Sequence, residues 1–420
     1  MISRNRWTIK WSDLPTFLLA CICICCLSLK VQRTIGLTAI LALWMLYCFL
    51  EGYDLLHIKL QESLTLLLIV GYLAICFLYR YIGLSDEGTG ITTTILFFIP
   101  YISILPIYHK LDRKQCIFIL AVSIVTAFVT MWQNYVLWRR FGFVPMHMFL
   151  EGYTEVVNTQ YVSALMLLSG ITFSAFLRER RKLLRYLYLG IALVCFLFNA
   201  VVTQRAITIL LSFVMIPFLI MVNSKRGVGR ILRFLALSSV LVFGLLGYRV
   251  ILTGIANLLG SERLADRIFS IIRLFDQSSA AMEESNSLTV RLQLMGLSIQ
   301  TFFASVPNFL IGVGDKADYL LVGGHGQFFD EFARYGVFGG LLSNGITVST
   351  LYTIMKYVSL PRESVLFKQM LVIFLFFIIR GFVGTLYAPS IGATMFIILP
   401  LLFRLVYEMN EDDQIEVQSL

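Results

Sequence analysis

The chain has 420 residues, of which 58% are hydrophobic and only 14% charged, with a formal net charge of +9 and a mean hydropathy of +0.82. A water-soluble domain carries about a quarter charged residues, so there are too few here to cover a solvated surface, and lipid must be the solvent for much of the molecule. The apolar runs are continuous rather than alternating, which excludes a membrane β-barrel and leaves helices, whose backbone groups pair within each span.

A helix needs about 20 residues to cross the hydrocarbon. In chain order the candidate spans are Leu14–Leu29, Ile35–Leu50, Ser63–Tyr79, Ile91–Tyr108, Gln115–Trp132 and Gln160–Leu177. They continue with Tyr186–Val202, Ala206–Val222, Ile231–Leu252, Tyr335–Tyr352, Leu366–Thr385 and Ile391–Tyr407. The predicted architecture is all-α, a polytopic bundle of about 12 spans. Residues 1–252 form an N-terminal membrane bundle of about nine spans and 253–334 an external loop subdomain. Residues 335–408 supply about three C-terminal spans, and 409–420 a cytoplasmic tail, expected to be disordered from Glu411 onward.

The first apolar segment follows Arg4, Arg6 and Lys10, lacks a small-residue cleavage site and reads as a retained signal-anchor. The basic residues gather in short segments between apolar runs, which argues for membrane topology and against nucleic acid. With the N-terminus inside, the cytoplasmic loops hold Lys110, Arg113 and Lys114, then Arg178, Arg180, Arg181, Lys182 and Arg185. Further along they hold Lys225, Arg226, Arg230 and Arg233, then Lys356, Arg362 and Lys368. The short outer loops hold fewer, so both termini are expected in the cytoplasm. Cys21, Cys23, Cys25 and Cys26 share one apolar run and Cys48, Cys76, Cys116 and Cys195 lie in others, so they read as small lipid-phase residues rather than a disulfide frame.

Two outer segments are long, Gln133 to Thr159 and Thr253 to about Arg334. In the second, Ser261 is positioned to cap an amphipathic helix through Phe275, suited to lie on the membrane surface. Ser287 is positioned to cap a second helix running to about Phe303 and carrying Arg291. The Gly312-Val313-Gly314 turn and the Gly323-Gly324-His325-Gly326 bend follow.

Chemistry-bearing residues are concentrated on this outer side. An imidazole at His325 can take a proton from a hydroxyl near neutral pH, the plain alternative being a solvated loop histidine. Arg205, at the outer end of a span, either meets an anion or snorkels to the interface. Arg291 has the fork geometry for phosphate, or pairs with Glu283 or Glu284. Arg380, within a span, must face the bundle, in a structural pair or in the site, and Asp330 and Glu331 are possible additional site residues. The sequence contains no phosphate-binding loop, no dinucleotide fingerprint and no His/Cys spacing for zinc. The first outer loop lacks the paired carboxylates of metal-dependent membrane glycosyltransferases, so no metal and no cofactor are expected.

Ile311-Gly312-Val313-Gly314-Asp315, followed by Gly324-His325-Gly326-Gln327-Phe328-Phe329-Asp330-Glu331-Phe332-Ala333-Arg334-Tyr335-Gly336-Val337-Phe338-Gly339, resembles the signature of bacterial O-antigen and polysaccharide polymerases (Wzy-like) and the related O-antigen ligases. His325 and Gly336 are separated by ten residues, as in the H-x10-G pattern of that family, although Gly326 stands where the family has Asn or Ser. The Thr203-Gln204-Arg205 corner and Arg291 resemble its two arginines. The resemblance implies a glycosyltransferase of the membrane-embedded C type in the bacterial inner membrane, with the large loop periplasmic or extracellular. It would act on sugar chains carried by undecaprenyl pyrophosphate, with a chain-length regulator as a possible partner and no nucleic acid. It implies His325 as catalytic base, Arg205 and Arg291 as pyrophosphate-binding residues, and inverting transfer without metal. The alternatives are a ligase moving finished polymer to lipid A core or protein, and, less favoured, a transporter of lipid-linked oligosaccharide.

Overall fold

The described residues of the computed structural model are 13–28, 34–50, 60–84, 89–141, 159–203, 206–223, 287–314, 321–324 and 326–418. The helices follow the apolar runs: α1 (Leu14–Leu27), α2 (Thr34–Leu50), α3 (Leu60–Tyr81), α4 (Thr89–Ile104) and, after a 3-10 turn at Tyr108–Lys110, α5 (Arg113–Phe141). α6 (Thr159–Arg178) and α7 (Lys182–Leu197) come next; α7 passes into a π-helical stretch, Phe198–Thr203, and α8 (Ala206–Asn223) follows. The C-terminal third holds α9 (Ser287–Phe303), α10 (Val306–Leu310), α11 (Gln327–Val358) and α12 (Val365–Phe382). It ends with α13 (Pro389–Ala393), a π-helical stretch (Thr394–Ile398) and α14 (Leu399–Gln418).

The fold is all-helical and of membrane type. Among the described residues, seven helices are long and apolar enough to cross a membrane, within α3, α5, α6, α7, α11, α12 and the continuous α13–α14 rod. α1 and most of α2, α4 and α8 are shorter apolar helices. The predicted span Ile231–Leu252 and the amphipathic stretch Ser261–Phe275 lie outside the described residues.

Burial sorts these helices into a centre and a rim. α6 is buried over 78% of its span and Pro389–Asn410 over 89%, whereas α3 is buried over only 28%. α6 packs against α7, α8, α12, α13 and α14, so it is the axis of the bundle. Small hydroxyl residues line its buried faces, with Ser163, Ser169, Thr172 and Ser174 all inside, as expected where apolar solvent outside leaves close packing and short hydrogen bonds to hold helices together. Ser169, Thr172 and Ser174 each return their hydroxyl to a carbonyl of their own helix. Around the rim, Phe49, Leu67, Tyr81 and Leu183 are exposed, an outward apolar surface that only lipid can solvate. All eight cysteines are free, and seven are buried against other helices, so they are packing residues of the protein interior rather than lipid-facing ones.

Three boundaries depart from the sequence reading. α5 runs nine residues beyond Trp132, into the predicted outer segment. There Trp132, Tyr135 and Trp138 stack at three-residue spacing, with ring centroids 5.7 and 5.8 Å apart, an aromatic ladder that carries the helix past its apolar stretch. The acidic tail is also helical as far as Gln418 rather than disordered from Glu411. No Gly or Pro interrupts it, and the turn before it is braced by Arg404 to Glu408 at 2.7 Å. Finally, α11 begins at Gln327, eight residues ahead of the predicted span start at Tyr335, and is broken at Gly336.

Candidate functional site

The break in α11 is where the glycine-rich segments meet. Gly336 has φ 63° and ψ −167°, a backbone conformation open essentially to glycine alone. A helix broken there cannot use its own ladder to satisfy the carbonyls just before the break. The Gly312–Gly314 turn supplies the missing donors: the Val313 N–H donates to the Ala333 carbonyl and the Gly314 N–H to the Arg334 carbonyl, each at 2.9 Å. Gly312 and Gly314 both have positive φ, and side-chain atoms on either, or on Gly336, would overlap backbone: Arg334 against Gly312, Leu84 against Gly314, Leu310 against Gly336. Tyr79 of α3 closes the arrangement by donating its hydroxyl to the Ile311 carbonyl.

The half-helix ahead of the break carries two adjacent carboxylates, both buried. Asp330 lies in the first turn of α11, where the exposed backbone N–H groups and the helix dipole favour a negative charge. Its Oδ1 accepts from the Ser298 hydroxyl of α9 at 2.6 Å and its Oδ2 from the Gly326 N–H at 2.8 Å. Ser298 in turn accepts from the Gly323 N–H at 2.9 Å. One carboxylate thus fixes the backbone on both sides of the Gly324-His325 dipeptide. Glu331 points to the opposite side, where it accepts from the Tyr72 hydroxyl of α3 and, at 2.5 Å, from the Gln327 side-chain amide. A buried carboxylate costs several kcal/mol unless hydrogen-bonded, and each of these has at least two donors.

Behind the carboxylates stand aromatic rings. Tyr335 meets Tyr72 and Tyr79 edge-on at 5.9 and 5.1 Å, and Tyr72 meets Tyr387 at 6.2 Å. Tyr387 bonds the Ser343 hydroxyl at 2.6 Å, and its phenol is pushed above the usual range by burial first and by the Glu331 charge second, so it stays protonated. The loop bearing Tyr387 is stitched to the start of α11: the Gln327 N–H donates to the Gly384 carbonyl at 3.3 Å, and the Leu386 N–H to the Gln327 side-chain oxygen at 3.4 Å.

Arg380, at the last turn of α12, enters from this side. Its side chain is fully buried and its Nε donates to the Ser163 hydroxyl of α6 at 2.7 Å. A cation at a helix C-terminus is favoured by the dipole, and Gly384 leaves the room the guanidinium fills, since a Cβ there would overlap Nη1.

Of the residues singled out in the sequence, Asp330 and Glu331 are together in one buried cluster, and Arg380 ends the helix whose following loop bonds to that cluster's first residue. His325 and Arg205 lie outside the described residues; Arg291 is on α9, and its side chain is likewise outside them. α9 spans Ser287–Phe303, the range read from the sequence. Among the described residues no group of three His, Cys, Asp or Glu could hold a metal ion.

The sequence reading missed Ser298, Gln327, Tyr72, Tyr79 and Tyr387. A signal existed for the α3 pair. Ile69, Tyr72, Cys76 and Tyr79 are all buried and lie on one helical stripe, while Leu67, Val70, Phe77 and Leu78 face outward. In a span that is mostly apolar, the hydroxyl-bearing aromatics mark the protein-facing side. No protein-family model matches this chain, and no curated protein does either.

Proposed function

We propose that the chain is a polysaccharide polymerase of the bacterial inner membrane, which joins oligosaccharide repeat units carried on undecaprenyl pyrophosphate. Its bundle would have about 12 spans, with both termini cytoplasmic and residues 253–334 on the outer face. In this reading the acceptor sugar hydroxyl attacks the anomeric carbon of the donor chain. Its proton passes to His325, the bond from the anomeric carbon to the pyrophosphate oxygen breaks, and undecaprenyl pyrophosphate leaves. Arg205 and Arg291 hold the pyrophosphate as charge develops on it. The attack from the opposite face inverts the anomeric centre.

What supports this reading most is the meeting of the segments that carry the resemblance. The Gly312–Gly314 turn and the helix opening at Gly336 are joined by backbone hydrogen bonds, and Asp330 anchors Gly326 and, through Ser298, Gly323. The residues anchored this way flank position 325, and fixed flanks are what a general base there would require. Asp330 and Glu331 act as positioning residues in this scheme, and Arg380 packs against Gly384 of the loop behind them.

The experiment is incubation of the purified chain with lipid-linked repeat units in detergent. The expected product is a ladder of increasing length, formed in the presence of a chelator. General-base assistance contributes about 10²–10⁴-fold, so His325→Ala should lose elongation while inserting normally in the membrane. A His325→Ala protein that makes full-length polymer at the wild-type rate would remove His325 as the base. Transfer of preformed polymer to lipid A core, with no ladder, would identify a ligase instead.

A further inference from the structure

The segment leading into α11 is fastened to a second helix, α9, as well as to α11 itself. Leu294, Ser298 and Thr301 follow one another at spacings of four and three residues, so they form one stripe of α9. The incoming chain runs antiparallel along that stripe. At its C-terminal end the Thr301 hydroxyl donates to the Leu321 carbonyl at 2.5 Å. Val322 is fully buried, and one turn back along α9 the Gly323 N–H donates to the Ser298 hydroxyl at 2.9 Å. Gly323 lies so close to α9 that a Cβ there would overlap the Leu294 carbonyl. A Cβ on Gly326 would meet the Phe382 carbonyl at the end of α12 and come within 3.8 Å of Met295 Cγ.

The two hydroxyls differ from others in the bundle in what they bond. Ser169, Thr172, Ser174, Ser212 and Thr394 all return their hydroxyls to carbonyls of their own helices, where they add nothing between segments. Thr301 donates to another segment, and Ser298 donates to Asp330 at 2.6 Å, its distance to the Leu294 carbonyl of its own helix being 3.4 Å. Position 291 is three residues before Leu294 and seven before Ser298, so it stands on the same stripe. A helix rises about 1.5 Å per residue, which puts positions 291 and 298 about 10 Å apart along one stiff rod. Gly323 and Gly326, on either side of position 325, are therefore set against the turn of α9 that follows position 291.

We infer that Ser298 and Thr301 are positioning residues for the proposed transfer: by fastening this segment to α9 they set the spacing between the base position, 325, and the leaving-group position, 291. The inference rests on the polymerase reading, in which the proton is taken at one position and the pyrophosphate is held at the other. A misplacement of about 1 Å between reacting groups costs about 10²-fold in rate, whereas holding the pyrophosphate does not depend on where the base stands. The experiment uses the purified full chain in detergent with lipid-linked repeat units. It measures kcat and KM for elongation per folded protein, together with hydrogen exchange at the Gly323 N–H. In Ser298→Ala and in Thr301→Val, exchange at Gly323 should quicken by about tenfold, and kcat should fall about 10–100-fold with KM little changed. Thr301→Val keeps the side-chain volume and loses the hydroxyl, while Thr301→Ser does the reverse. Wild-type exchange and kcat in Thr301→Ser are therefore expected, and a role in packing alone would give the opposite order. If Ser298→Ala does not fold, the Thr301 pair decides the matter. Unchanged exchange in the hydroxyl-deleted variants overturns the fastening. Faster exchange with wild-type kcat, or a raised KM at unchanged kcat, overturns the positioning role. A wild type that makes no ladder removes the polymerase reading and the positioning role with it, and the exchange result then still decides whether the two hydroxyls hold the segment to α9.

Discussion

Asp330 carries more of the local architecture than a single carboxylate usually does, because both of its oxygens hold different parts of the same bend. Truncation to alanine leaves the Ser298 hydroxyl and the Gly326 N–H without their acceptor in a buried place. A stranded buried donor costs about 1–3 kcal/mol, so Asp330→Ala should lower the unfolding midpoint in detergent and speed hydrogen exchange at Gly323 and Gly326. Asp330→Asn keeps one acceptor oxygen and the side-chain volume, and should retain most of the stability. Equal exchange in Asp330→Ala and wild type would show that the bend does not depend on this side chain. Glu331 permits a sharper comparison. Glu331→Gln preserves shape but weakens the bond from the Tyr72 hydroxyl, and Tyr72→Phe removes that donor. The two changes act on one bond, so their effects on stability should be less than additive, by about 0.5–3 kcal/mol in a double-mutant cycle. Strict additivity would mean that the bond contributes nothing.

At the scale of elements, the broken helix is the feature with the largest consequences. α11 is two half-helices pinned at Gly336 by a turn from elsewhere in the chain, and each glycine at that junction faces backbone rather than a flexible side chain. A Cβ at Gly336 meets both a conformation L-residues avoid and the Leu310 carbonyl. Backbone strain of this kind costs about 1–3 kcal/mol before the overlap is counted, so Gly336→Ala should destabilise the protein by more than that and, on the proposed polymerase reading, abolish ladder formation. Gly190 is a suitable control, since nothing lies near its added Cβ, and Gly190→Ala should be neutral or slightly stabilising. The sequence showed that these glycines matter, because a run such as Gly312-Val313-Gly314 breaks a helix wherever it falls. It did not show that the turn and Gly336 bond to each other. That pairing depends on two carbonyls freed by the break, a fact visible only once the helix is known to start at Gln327. For the same reason Asp330 and Glu331 read as possible site residues in the sequence, while their partners did not. Ser298, Tyr72 and Gln327 look like ordinary members of helices, and only packing brings them to the carboxylates.

At the scale of the whole molecule, hydropathy located the membrane-type helices among the described residues, but it could not rank them, because lipid and protein interior are equally apolar. α6 and α3 are both predicted spans, yet one is the axis of the bundle and the other has most of its surface outside. The distribution of small hydroxyl residues and tyrosines distinguishes them better than hydrophobicity does. Sidedness is a separate question, carried by charge. The bend after α6 and the loop between α11 and α12 lie together at one end, where Arg178, Arg180 and Glu363 line the same cleft. On the proposed topology, which rests on the positive-inside bias, that end would face the cytoplasm. The turn between α9 and α10 belongs to the segment read as external, and Val306 there is exposed. Two single-cysteine reporters test the assignment, because the native cysteines are buried or partly so and react slowly. Val306→Cys should be labelled by a membrane-impermeant maleimide in intact spheroplasts, and Arg362→Cys only after permeabilisation. The reverse pattern would invert the molecule and put the Asp330 cluster's loop on the cytoplasmic side. Lipid-linked sugar chains delivered to the outer leaflet would then have no route to it, and the polymerase reading would fall with the topology.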